Sequence, residues 1–106
     1  MSLDVMLMKH GEEVYWANIT HNLNAMAAEA GIYKELWRPD EIGATFAGDI
    51  VEAVEVGLKK MVDDPAKYES HNSKNGWGVY EHFVPFVAKY LQACRENPDA
   101  EIHVSR

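Results

Sequence analysis

Apolar and polar residues alternate in register with local structure at both ends of the chain, and follow a helical period between. Leu3–Met8 is a short, mostly apolar run stopped by Lys9-His10-Gly11-Glu12. Glu13–Ile19 follows, enriched in β-branched and aromatic residues, so the two runs read as a hairpin. Side chains alternate along a strand, which puts Val14, Trp16 and Asn18 on one face and Tyr15, Ala17 and Ile19 on the other. Both faces carry large side chains, and both are expected to be covered.

Past Thr20 the period changes. Leu23, Met26, Ala27 and Ala30 recur at helical spacing, with Thr20 as N-cap and Gly31 at the end, predicting a helix over about 20–30. Ile32–Trp37 adds a helical turn or two before Arg38-Pro39, and Asp40–Gly43 reads as a turn. Phe46, Ile50, Val54, Leu58, Met61 and Val62 predict a long amphipathic helix from about Thr45 to Val62. Asp64-Pro65 closes it and starts a short turn through Tyr68. The polar, glycine-rich stretch His71–Gly78 is a loop, with Asn75-Gly76 as a tight turn needing positive φ. Val79, Phe83, Val84, Val87, Leu91 and Cys94 mark a last helix, interrupted by Pro85. Asn97-Pro98-Asp99 ends it, and Glu101–Ser105 alternates as a final strand that adds to the hairpin.

The sum is an α+β fold of two layers, about three strands packed against about three helices in the order ββαααβ. A chain of 106 residues is one domain, 1–106, long enough to bury a core without metal or disulfide support. Met6, Met8, Met26 and Met61 read as core filling. Cys94, the one cysteine, lies on an apolar stripe and reads as a small buried hydrophobe.

Charge narrows the function. Seventeen acidic against ten basic residues give a net −7, which disfavours duplex nucleic acid bound through a broad basic face. No apolar run approaches the ~20 residues of a membrane-spanning helix, and neither a signal peptide nor a membrane partner is expected. With no internal disulfide available, a cytoplasmic setting is expected. The five histidines lack metal-ligand spacing, one cysteine excludes CxxC zinc sites, and no phosphate-loop, GxSxG or dinucleotide pattern occurs, so neither metal nor cofactor is expected.

Three polar or aromatic clusters remain. Asn18-Ile19-Thr20-His21-Asn22 lies where strand passes into helix, and its neutral donors with the helix start could hold a small anion. Helix capping by Thr20 explains the same residues structurally. Arg38, between Trp37 and Pro39 and close to Glu41, could bind a carboxylate or phosphate, or pair internally with Asp40 or Glu41. Asn75-Gly76-Trp77-Gly78 could offer Trp77 as an aromatic platform, or use it to plug the core.

Asn18–Leu23, Met26-Ala27, Ala30–Tyr33, Leu36–Pro39 and Asn75–Glu81, including Tyr80, resemble a family of small uncharacterised proteins encoded by bacteriophages and prophages. The resemblance spans about Val14 to the C-terminus, departs at Ser73 where that family commonly has proline, and implies a phage or bacterial intracellular setting. It implies no activity.

The resulting expectation is a non-enzymatic accessory or binding protein. Its polar pocket would form where the first helix start, the Arg38-Pro39 turn and the Asn75–Gly78 loop converge, and would take a small anionic ligand or a protein partner. One alternative is a small hydrolase or transferase using His21 as acid or base. The other is an interaction module using the acidic second helix or an exposed apolar face, with a homodimer compatible with either surface.

Overall fold

The computed structural model describes residues 2–106. Strands β1 (Ser2–Lys9) and β2 (Glu12–Thr20) form the hairpin. Both residues of its turn have positive φ, 53° at His10 and 79° at Gly11, the backbone twist that a two-residue hairpin turn requires. Strand β3 (Glu101–Ser105) lies antiparallel on the other side of β1, giving the order β2-β1-β3. The first strand is therefore the central one.

Leu3, Val5 and Leu7 of β1 are fully buried, each contributing roughly 1.5–3 kcal/mol by burial. Ser2, Asp4, Met6 and Met8 alternate with them on the opposite face and are only half-buried. That face turns to solvent, with Trp16 at 53% and Val14 at 41% exposure. The expectation of two covered faces is corrected here, as is the placing of Met6 and Met8 in the core. An apolar residue on a strand shows only that it can be buried, and all the helices pack on the other side.

The helical layer is more divided than three helices. A 3₁₀ turn, His21–Leu23, leads into α1 (Asn24–Glu29), and α2 (Tyr33–Trp37) follows after Gly31. A second 3₁₀ turn spans Pro39–Ile42. The long helix begins later than its pattern suggests, as a 3₁₀ turn at Ala47–Ile50 running into α3 (Val51–Asp63). Thr45 and Phe46 stay extended because the Asp49 carboxylate accepts both their backbone N–H groups, at 3.1 and 2.9 Å. Phe46, counted in the apolar stripe, instead bridges to Glu101 at the sheet. Val62 is 55% exposed, and the buried face of α3 is Val54, Gly57 and Met61. A Cβ at Gly57 would collide with Ile32 Cγ2, so this glycine allows the close approach of Ile32.

Pro65 opens the short α4 (Pro65–Glu69), and α5 (Tyr80–Glu96) runs beneath the sheet. Pro85 lies on the exposed side of α5, where the helix carbonyl it leaves without a donor can meet water. The core joins β1 and α5 to Met26, Ile32, Leu36, Trp37 and Tyr68. Tyr15 of β2 stacks on Tyr90 of α5 at 5.9 Å. Cys94 is buried there, and burial pushes its thiol up to about 12. No helix among the described residues is long and apolar enough to cross a membrane.

Candidate functional site

The end of β2 turns sharply into the 3₁₀ turn, and Thr20 is still extended (φ −69°, ψ 143°) as an N-cap must be. Its Oγ1 accepts the N–H of Asn22 at 3.4 Å. The capping role read from sequence is present. The remaining polar groups are divided between structure and an open groove.

The loop before α5 closes against this junction. Asn22 Nδ2 donates to the Trp77 carbonyl at 3.0 Å, and the Trp77 N–H donates to Asn75 Oδ1 at 3.0 Å. Both backbone groups of Trp77 are thus engaged. Gly78 is buried with φ 98°. A Cβ on it would lie 2.8 Å from Asn22 Cβ and 3.2 Å from Thr20 Cγ2, so only glycine allows the loop this close. Asn72, farther back in the loop, accepts the Tyr80 N–H at 2.8 Å and satisfies the first turn of α5.

Between junction and loop lies a groove of about 1060 Å³, lined by Ser2, Asn18, Ile19, Thr20, His21, Asn22, Leu23, Gly76, Trp77, Gly78 and His82. Its lining is partly apolar, and among the described residues no lysine or arginine lines it. Trp77 is 69% exposed, so it does not plug the core.

His21 is oriented from below. The buried Trp37 donates its indole N–H to His21 Nδ1 at 2.9 Å. An indole N–H can only donate, so Nδ1 is the unprotonated nitrogen and the ring proton sits on Nε2. Nε2–H lies on the ring edge away from Trp37, and His21 is one of the residues that line the groove. Asn18 donates through Nδ2 to Ser2 Oγ at 2.9 Å and to Asp4 Oδ1 at 2.6 Å, which leaves its Oδ1 as an acceptor. The groove therefore offers an exposed indole face, an imidazole donor and an amide acceptor.

Of the residues singled out in the sequence, Asn18, Thr20, His21, Asn22 and Trp77 line this groove. Arg38, Glu41, Asn75 and Tyr80 do not. Arg38 Nε lies 3.8 Å from Glu41, which also faces Lys34 at 3.8 Å, giving Arg38 the internal partner that was its structural explanation. Asn75 holds the loop backbone, and the Tyr80 hydroxyl donates to the Met61 carbonyl at 2.7 Å. Two of the three clusters converge. The third contributes through Trp37, one residue from the arginine on which the sequence drew attention.

Sequence reasoning missed Ser2 and His82 as lining residues. Ser2 reaches the groove only because the hairpin register sets it opposite Thr20, and His82 only because Gly78 lets the first turn of α5 close on the junction. Neither is adjacent to the junction in the chain. Among the described residues, no three His, Cys, Asp or Glu side chains are grouped to hold a metal, and His71 faces Glu29 at 3.9 Å. The chain matches no protein-family model, no curated protein and no solved structure.

Proposed function

We propose that the protein is a non-catalytic binding protein whose groove holds an uncharged, ring-bearing ligand. The ring would lie on Trp77 and its hydrogen-bonding edge would meet His21 Nε2–H and Asn18 Oδ1. Trp77 carries the proposal: its indole is 69% exposed, yet its backbone is fixed on both sides by Asn22 and Asn75. A large apolar side chain on a fixed backbone leaves less ordering entropy to be lost on binding than one on a free loop.

An uncharged ligand suits this lining better than the anion suggested by the polar cluster. Among the described residues no lysine or arginine lines the groove, and the Asn22 N–H that could meet an anion is already given to Thr20. Binding is also favoured over base catalysis at His21. A base must present a free lone pair, and Nδ1, the nitrogen that has one, is taken by an indole N–H and faces no orienting carboxylate through it. The resemblance to phage and prophage proteins supports an accessory role in a bacterial or phage-infected cell. The buried, unpaired Cys94 supports a cytoplasmic one.

The test is a screen of uncharged heteroaromatic and sugar fragments by amide NMR. Saturable shifts are expected at 18–23 and 76–78, lost in Trp77→Ala and weakened in His21→Ala while both variants remain folded. Equal binding by Trp77→Ala, or shifts confined to another surface, would contradict the proposal.

A further inference from the structure

The two edges of the sheet are treated differently. At β3 the extended Thr45-Phe46 segment and the start of the 3₁₀ turn that follows cover the edge: the Ile102 N–H donates to the Thr45 carbonyl at 2.9 Å, and the Ala47 N–H to the Ala100 carbonyl at 2.8 Å. The five-residue β3 is left with His103–Ser105 uncovered. Strand β2 is nine residues long and pairs only with β1. Among the described residues, no backbone group of β2 has a backbone partner outside that hairpin. Every second residue of an edge strand turns its N–H and C=O outward, so β2 presents a row of such groups to any matching strand.

We propose that this edge pairs antiparallel with β2 of a second copy, joining two three-stranded sheets into one continuous sheet. The charges favour a second copy in that direction. The only charged residues on β2 are Glu12 and Glu13, both at its start, and no lysine guards the strand. Antiparallel pairing about a two-fold axis sends the two acidic ends apart, each towards the uncharged Asn18–Thr20 end of the other strand. A parallel arrangement would set them side by side. Register is regular from Tyr15 to Thr20 and shifts only near Met8 and Glu13, so the straight part of the strand is the uncharged part. Trp16 and Val14, exposed on the solvent face beside this edge, would gain cross-strand cover. Because the other edge is short and partly covered, assembly stops at two copies. The pairing also brings the second copy's hairpin turn towards each groove, since Thr20 both ends β2 and lines the groove.

Sedimentation of the full chain over a hundredfold concentration range, in low and high salt, tests this independently of the groove ligand. The expected result is a monomer–dimer equilibrium with no larger species, shifted towards dimer by salt, because two chains of net charge −7 repel less when screened. Trp16→Glu, which adds a carboxylate to each copy near the two-fold axis, should remain monomeric with an unchanged circular-dichroism spectrum. In the wild type, exchange of the outward β2 amides should slow as the dimer fraction rises, and this readout decides the matter if the variant does not fold. A monomer at every concentration, larger oligomers, or a dimer whose β2 amides exchange as fast as in the monomer would each overturn the proposal.

Discussion

Trp37 and Trp77 stand in similar company in the chain, each flanked by a residue that bends or frees the backbone, yet one is 2% exposed and the other 69%. Trp37 ends a helix whose Leu36, like Ile32 just before it, is also buried, and it stacks on Tyr33 at 5.7 Å. Trp77 sits between two glycines with φ of 79° and 98°, where no apolar period continues. The difference shows that an aromatic residue's role follows the pattern around it more than its own identity. The two residues nevertheless serve one site, the first by orienting His21 from beneath and the second as the groove wall.

The largest expected effect comes from treating them as equals. Trp37→Ala should lower stability by about 3–5 kcal/mol, the usual cost of truncating a buried Trp, and free His21 Nδ1; chemical denaturation measures it. A loss below ~1 kcal/mol would mean that Trp37 is not the floor of the site. Next is Gly78→Ala, which sharpens the comparison by disturbing the loop of Trp77 without touching its ring. Strained positive φ and the close approach to Asn22 should together cost about 1–3 kcal/mol, with amide shifts at both 20–22 and 76–78. Smallest is Trp77→Ala, expected to change stability by no more than ~0.5 kcal/mol, as surface substitutions do. A loss of the size expected for Trp37→Ala would return Trp77 to the core.

Much of the fold was readable from the chain because local patterns and tertiary packing agree. The hairpin, the capping Thr20, the glycine turn at 76 and the stripe of α5 all follow from residues close in sequence. What could not be read depends on partners far apart. Only pairing with β3 makes β1 central, and only placing every helix on one side leaves Trp16, Met6 and Met8 on an open face. Phe46 keeps helical spacing with Ile50 but is held extended by Asp49 and the sheet edge. The site divides in the same way. Asn18–Asn22 is visible as a dense polar stretch at an element boundary, and the convergence of the clusters can be expected, whereas the bond from Trp37 to His21 that joins two of them lies between residues 16 apart and has no local signal. Arg38 drew notice as a charge beside an aromatic, and the neighbouring indole, not the charge, reaches the site.

The central claim is that Trp77, its backbone braced by Asn22 and Asn75 in the groove that His21 also lines, is the surface on which a ligand lies. The indole N–H resonances of the three tryptophans report on it directly during titration with an uncharged ring-bearing fragment that binds. The account predicts that the Trp77 indole moves saturably, that the Trp37 indole, bonded to His21, follows with a smaller shift, and that the Trp16 indole stays in place. A Trp77 signal that does not move while the Trp16 signal does would contradict it and transfer the binding surface to the open face of the sheet.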